Sequence, residues 1–85
     1  MTITVKLRFF ASLREKLGEG ETLVLPEGST VAAVRLALQA RGSVHAQALA
    51  PGRAVRSALN QKMCADSALL SDGDELAFFP PVTGG

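Results

Sequence analysis

Several residue types and patterns are scarce in this sequence of 85 residues, and each shortage argues against a class of protein. The single cysteine, Cys64, cannot form an internal disulfide, which fits a reducing cytoplasm. The sequence has no run of about 18 apolar residues that could cross a membrane. It also starts directly with the alternating pattern at Thr2 and Ile3, without the basic and then apolar leader of a secreted protein. We therefore expect a cytoplasmic protein with no membrane partner.

The sequence is equally poor in residues that could build a catalytic or metal site. The one histidine, His45, has no partner ligands, and Cys64 lacks a CxxC pattern, so we interpret Cys64 as a small core or edge residue. The acids Asp72, Asp74 and Glu75 do not match a calcium loop, which needs about twelve residues of regular spacing, and are interpreted as turn residues. No glycine-rich phosphate-binding loop follows a strand. The sequence therefore predicts neither an enzyme that acts alone nor a metal or permanently bound cofactor.

Apolar residues, in contrast, are abundant. They make up 47% of the chain, which is too many for a disordered protein. A formal net charge of +1 gives no overall field that would favour nucleic acid. The length suffices for one modest hydrophobic core, so we expect one domain over residues 1–79 and a short tail over residues 80–85.

The first half of the chain predicts two strands and a short helix, in the order strand, helix, strand. Residues 3–9 alternate apolar and polar side chains, as in a half-buried strand. Apolar residues then fall at helical spacing over residues 10–17, and Gly18 ends that helix as a cap. A second strand covers residues 21–25 and stops at Pro26.

A long helix follows. Thr30 or Ser29 can accept a hydrogen bond from an amide of its first turn, and Arg41-Gly42 ends it. An apolar stripe runs along it, formed by Val31, Val34 and Leu38 and widened by Ala33 and Ala37. Residues 43–53 show no clean period and are interpreted as a loop, although their alanines could form a helical turn.

The last third predicts three short strands. Residues 54–59 and 62–65 are joined by a turn at Asn60-Gln61, and a tight turn at residues 72–74 precedes the final strand, residues 75–79. Leu76 and Phe78 lie on one face of that strand, and Ala77 and Phe79 lie on the other. Segregated elements this short predict an α+β roll, in which one long helix lies across a mixed sheet.

The C-terminal tail differs in composition from the domain. It consists of Pro80, Pro81, Val82, Thr83, Gly84 and Gly85. The two prolines hold the backbone extended, and the stretched tail could reach roughly 20 Å. The two glycines remove every side chain near the terminal carboxylate and permit unusual backbone angles. Such a tail suits insertion into a narrow channel of another protein, whereas the alternative is a frayed end.

Four stretches of the chain resemble the ubiquitin-like sulfur carriers, and most closely the small subunits of molybdopterin synthase. They are RFFASLRE at residues 8–15, GSTVAAV at residues 28–34, Asn60-Gln61, and DGDELAFFPPVTGG at residues 72–85. The last stretch is the most specific of the four. The resemblance covers essentially the whole chain.

This resemblance implies a β-grasp fold and a sulfur-carrying cycle at the C-terminus. A ubiquitin-activating-type adenylating enzyme would use ATP to convert the Gly85 carboxylate to an acyl-adenylate, and a sulfur donor protein would turn it into a thiocarboxylate. The carrier would then sit on the synthase large subunit, in a heterotetramer with two of each, and give sulfur to cyclic pyranopterin monophosphate during molybdenum cofactor biosynthesis. Phe79 and the tail residues Pro80, Pro81, Val82, Thr83 and Gly84 would contact these partners.

Three alternatives remain open at this point. The chain could carry sulfur for another pathway, such as thiamin thiazole synthesis, although the Phe78-Phe79-Pro80-Pro81 run, the long helix and the length favour the molybdopterin branch. It could be a protein modifier that forms isopeptide bonds from Gly85. It could also be a plain interaction module of ubiquitin-like shape. We further expect Phe79 to be exposed beside the tail, or else to join a satellite cluster with Phe10 or the loop.

Overall fold

The computed structural model describes residues 1–50 and 55–80, in which five strands form one mixed sheet. The elements, in chain order, are β1 (Thr2–Phe9), α1 (Ala11–Leu17), β2 (Gly20–Pro26), α2 (Val31–Gln39), α3 (Ser43–Ala48), β3 (Arg56–Leu59), β4 (Lys62–Cys64) and β5 (Glu75–Phe79). The strand order is β2-β1-β5-β3-β4. β1 and β5 are parallel, and the other neighbouring strands are antiparallel. The predicted α+β class with a mixed sheet is confirmed.

The hydrophobic core lies between the helices and one face of this sheet. Every second side chain of β1 is buried, as the alternating sequence predicts. The rings of Phe9 and Phe78 stack at the centre, with their centroids 6.1 Å apart. The buried core cluster comprises Ile3, Val5, Leu7, Phe9, Leu13, Val31, Val34, Leu38, Ala48, Leu49, Leu70, Leu76 and Phe78. No helix of the described residues is long and apolar enough to cross a membrane.

The pairing of β1 with β2 requires a glycine at the first residue of β2. Gly20 begins β2 and pairs with Arg8 of β1. A Cβ atom at Gly20 would lie 2.0 Å from the backbone oxygen of Leu7, and the φ angle of this glycine is +149°. Only glycine allows the two backbones to approach this closely.

The long helix begins as the sequence predicts. The Thr30 hydroxyl accepts a hydrogen bond from the amide of Ala33 at 3.2 Å, which confirms the predicted cap. The three residues of the predicted stripe, Val31, Val34 and Leu38, are buried. α2 ends at Gln39, slightly before the predicted Arg41-Gly42.

The interpretation of residues 43–53 as a loop is wrong for its first part, which forms α3. This helix has no side-chain cap at its start and spans only Ser43–Ala48, too short for an apolar period to be visible. A contact with α2 stabilises this short helix in place of a cap. The buried Arg35 donates hydrogen bonds of 2.8 Å to the carbonyls of Leu49 and Ala50, directly after α3. Residues 51–54 lie outside the described part of the chain.

The second hairpin is fastened to the start of β5. Asn60 and Gln61 form its turn with φ angles of +50° and +70°, which confirms the predicted turn. The Asn60 side chain donates to a carboxylate oxygen of Asp74 at 2.9 Å and accepts from the amide of Glu75 at 3.0 Å. Asp72 lies in the turn before β5, as predicted, and its carboxylate accepts a hydrogen bond from the amide of Thr4 in β1 at 2.7 Å. These contacts fix the register of β5 and therefore the place where the tail begins.

Candidate functional site

The tail leaves the sheet from its central strand. β5 lies between β1 and β3, and its last residue, Phe79, pairs with Arg56 of β3. On the other side, the amide of Phe10 donates to the carbonyl of Phe78 at 3.1 Å. Pro80 has no amide hydrogen and therefore cannot continue the ladder. The chain therefore leaves the central strand at the end of the sheet where β1 ends and β3 begins.

The structure describes two of the predicted tail and partner residues. Phe79 and Pro80 are both half-buried. Pro81, Val82, Thr83, Gly84 and Gly85 lie outside the described residues, so the roles predicted for them stay predictions.

The predicted faces of β5 are confirmed, but the predicted exposure of Phe79 is wrong. Leu76 and Phe78 are buried in the core, whereas Ala77 and Phe79 lie on the opposite face and belong neither to the core nor to the residues packed against it. Phe79 is half-buried rather than exposed. β5 is a central strand, so residues of β1 and β3 flank it on both sides, and Arg56 of β3 pairs directly with Phe79.

The face of the sheet that the core does not cover is called the open face below. It includes the following outward positions of the five strands: Thr4, Lys6, Arg8, Thr22, Val24, Arg56, Ala58, Met63, Glu75, Ala77 and Phe79. It carries three basic residues, Lys6 and Arg8 on β1 and Arg56 on β3, beside the apolar Ala77 and Phe79 of β5. The sequence analysis missed this surface, because only the strand order brings β3 and β4 beside β5.

Arg8 contacts one residue of the open face and one residue at the start of α1. Its guanidinium lies 3.6 Å from the carboxylate of Glu75, and it also sits over the ring of Phe10, 5.4 Å from the ring centroid. A cleft of about 430 Å³ beside it is lined by Arg8, Phe10, Arg14 and Gly20, among others. Arg14 is paired with Glu19 at 2.8 Å. The charged groups of this cleft neutralise one another and do not form a catalytic set.

The described residues contain no group of three or more histidine, cysteine and acidic side chains that could hold a metal ion. Cys64 is half-buried on β4. Burial, and secondarily the negative charge of Asp66, raises the pKa of the Cys64 thiol. A neutral thiol is a poor nucleophile, which agrees with a structural role for Cys64. His45, the other candidate, is half-buried on α3.

A mixed sheet of this order, with helices on one face and a central strand that leads directly into a C-terminal tail, defines a ubiquitin-like β-grasp protein. Within that class the chain belongs to the ThiS family, whose model matches residues 7–85. The resemblance seen in the sequence is therefore confirmed at the level of the family.

Two curated relatives carry the same name, molybdopterin synthase sulfur carrier subunit. The protein from Escherichia coli K12 is 43% identical over 81 residues, covering 95% of this chain and 99% of the relative. The protein from Haemophilus influenzae Rd is 40% identical over 77 residues, covering 91% and 94% of the two chains.

Solved structures of similar fold cover nearly the whole chain. The Haloferax volcanii HVO 2177 protein superposes with a TM-score of 0.84 at 30% identity, covering 99% of this chain and 88% of that one. The small archaeal modifier protein 1 from Methanosarcina acetivorans has a TM-score of 0.76 at 25% identity, covering 100% and 99%. A chain in the complex of subunits 1 and 2 of the molybdopterin-converting factor from Helicobacter pylori has a TM-score of 0.66 at 26% identity, covering 98% and 100%.

Proposed function

We propose that this chain is the sulfur carrier subunit of a molybdopterin synthase and that Gly85 is its covalent site. One observation carries the proposal. The sequence that matches the ThiS family runs through residue 85, and both curated relatives of that length are sulfur carrier subunits of this synthase. The chain leaves the middle of the sheet at Pro80. This position supports the proposal that the tail extends into a partner protein.

The chemistry proposed for Gly85 needs an activation step. A terminal carboxylate is an anion at neutral pH and a poor electrophile. In the proposed cycle, an adenylating enzyme joins this carboxylate to the AMP part of ATP and releases pyrophosphate. Sulfur at the oxidation level of sulfide, supplied by a donor protein, then attacks the acyl carbon and displaces AMP, which leaves a thiocarboxylate on Gly85. The carrier itself needs no general base for these steps, because the partners supply the machinery.

The proposed acceptor is cyclic pyranopterin monophosphate, bound in the active site of the synthase large subunit. Two sulfur transfers would complete the dithiolene of molybdopterin. The Helicobacter pylori structure shows a protein similar to this chain in complex with its subunit 2. We propose a corresponding complex here, with two carriers and two large subunits, in the cytoplasm, where a free thiol such as Cys64 stays reduced.

A genetic experiment tests the proposed function. The gene for this chain is expressed in cells that lack the small subunit of molybdopterin synthase, and molybdoenzyme activity is measured. We expect the full sequence to restore activity and a variant without Gly84 and Gly85 to fail, although both proteins accumulate. Restored activity with the shortened variant would refute a role for the terminal carboxylate and would favour a plain interaction module.

A second candidate function is protein modification. It is favoured by the structural similarity to the small archaeal modifier protein 1. A modifier would use the same activated Gly85 but form an isopeptide bond with lysines of other proteins. Intact-mass analysis of cell extracts separates the two, because a carrier stays free whereas a modifier is found attached to other proteins. Rescue of a thiazole auxotroph, rather than of the molybdopterin defect, would instead indicate the thiamin pathway.

A further inference from the structure

The sheet ends in two edge strands of unequal length, β2 and β4. β4 spans only Lys62–Cys64 and begins with a lysine, and short edge strands with charged side chains resist pairing with other chains. β2 spans Gly20–Pro26, and its pairing with β1 continues through the whole strand without a bulge. Between Glu21 and Pro26 the strand has no charged residue. Of these two edges, β2 is therefore the one that is open to another strand.

The backbone groups of Thr22 and Val24 point away from the sheet. The amide of Phe9 donates to the carbonyl of Glu19, which shows which pairs of the ladder between β1 and β2 are hydrogen-bonded. Such pairs alternate along an antiparallel ladder, so Leu23 is bonded to β1, whereas Thr22 and Val24 face the opposite way. Neither of these two residues makes a backbone hydrogen bond outside the ladder among the described residues. Each of them therefore offers one donor and one acceptor to a neighbouring strand.

The side chains along this edge are apolar on both faces of the sheet. Val24 lies on the open face, with 66% of the residue accessible to solvent. Leu23 and Leu25 lie on the opposite face and are half-buried against the core. A strand placed along the edge would cover Val24 and the remaining surface of both leucines, so apolar burial would add to the backbone hydrogen bonds. The charge of Glu21 does not oppose such pairing, because it is already paired with Arg41.

We infer that the free edge of β2 pairs antiparallel with the same edge of a second copy of this chain, about a two-fold axis at Leu23. Leu23 is the midpoint of β2, so this register pairs the strand over its full length. Thr22 of each copy then lies opposite Val24 of the other, and each of these pairs exchanges both hydrogen bonds. Leu23 lies opposite its own copy, in a pair of the type that brings side chains closest. The donors, acceptors and apolar side chains of one strand therefore match those of its copy, as an isologous interface requires.

Pairing through β2 leaves the C-terminal tail accessible. The tail follows β5, and β1 lies between β5 and β2, so roughly 10 Å separate the strand of the tail from the edge that makes the contact. Because the two copies run antiparallel, their tails leave from opposite ends of the combined sheet. The inference is therefore independent of the chemistry proposed for Gly85, and either proposal can fail without the other.

The test is sedimentation equilibrium of the full-length protein from about 10 μM to about 1 mM, the range in which small interfaces associate. We expect the mass of the wild type to shift from one chain to two. Val24→Lys should weaken dimerisation by roughly tenfold or more, because the change occurs twice and the two lysines lie diagonally across the contact, about 7–8 Å apart. Leu36→Lys is the matched control, since Leu36 is exposed on α2 and the change in charge is the same. A wild type that stays monomeric, or equal weakening in both variants, would overturn the inference.

Hydrogen exchange of the wild type tests the same contact even if Val24→Lys does not fold. The amides of Thr22 and Val24 should exchange freely in dilute protein and gain protection in step with dimerisation. The amide of Leu23, which bonds to β1, should be protected at every concentration and is the internal control. Dimerisation without protection of Thr22 and Val24 would place the contact elsewhere and overturn the inference. Protection that appears only when a different protein is added, while the chain alone stays monomeric, would overturn it as well and assign the edge to that partner.

Discussion

Phe78 and Phe79 are neighbours in the sequence with opposite environments. Phe78 is fully buried and stacks on Phe9, whereas Phe79 is half-buried on the open face beside the start of the tail. The same substitution at the two positions should therefore separate the contribution to folding from the contribution to binding.

We expect Phe79→Ala to lower the free energy of unfolding by well under the ~3–5 kcal/mol typical of emptying a buried phenylalanine site. Its binding to the large subunit should weaken by ~2 kcal/mol or more, as for an aromatic anchor at an interface. Phe78→Ala serves as the control and should show the full loss of stability. Denaturant unfolding and calorimetry of the same samples provide both values. A core-sized loss of stability for Phe79→Ala, with unchanged affinity of the folded fraction, would place Phe79 functionally in the core.

Gly20 gives a second prediction at the scale of a residue. A Cβ atom there meets the Leu7 backbone oxygen at 2.0 Å, and neither strand can move without breaking the ladder. We expect Gly20→Ala to destabilise the protein by ~1–3 kcal/mol through overpacking, in addition to its backbone strain. Gly28→Ala is the control, because Gly28 also has a positive φ angle but open space around its Cβ position. Equal losses in thermal unfolding for the two variants would show that the close approach does not matter.

At the scale of elements, α3 depends on another helix for its stability. Arg35 of α2 is buried and holds two carbonyls after α3, and it also lies 4.0 Å from the carboxylate of Asp66. A six-residue helix without a side-chain cap would not persist alone. The residue therefore positions α3 rather than serving sulfur transfer.

Replacing Arg35 with methionine keeps most of the side-chain volume but removes the donors. We expect a loss of ~1.5–3 kcal/mol, the usual range for hydrogen bonds made by a charged group. Hydrogen exchange should show the loss of protection in α3 before that in β1. Arg41→Met is the control, because Arg41 forms a partly exposed pair with Glu21 that should contribute at most ~1 kcal/mol. Unchanged protection in α3 would mean that other contacts hold this helix.

At the scale of the whole molecule, the folded core and the proposed covalent site lie in different parts of the sequence. The core extends to Phe78, whereas the proposed chemistry takes place at Gly85, beyond the described residues. A change at the terminus should therefore leave folding untouched.

We expect the mass of the protein to increase by one oxygen-to-sulfur exchange at Gly85 after incubation with its adenylating enzyme, ATP and a sulfur donor. A variant with one alanine added after Gly85 should unfold at the same temperature and yet show no sulfur transfer, because its carboxylate is out of register with the partner active sites. Modification of Cys64 instead, or substantial transfer by the extended variant, would contradict the mechanism. Cys64→Ala is the control and should be sulfurated like the wild type.

Local features of the sequence determined most of the elements. The alternation in β1, the Thr30 cap, the Asn60-Gln61 turn and the two faces of β5 all follow from interactions between residues close in the chain, which sequence patterns record. The tail was recognised from its composition and from the family resemblance, and the family is confirmed.

Only the tertiary structure decided features that depend on residues far apart in the chain. α3 persists because Arg35 reaches the carbonyls that follow it, a contact with no periodic trace in the sequence. Phe79 is half-buried because β5 became a central strand, with β1 and β3 on either side. Arg8 and Arg56, which are distant in sequence, lie on the same face of the sheet because both of their strands pair with β5. A sequence pattern shows which face of a strand a residue occupies, but strand pairing alone shows which residues share the resulting surface.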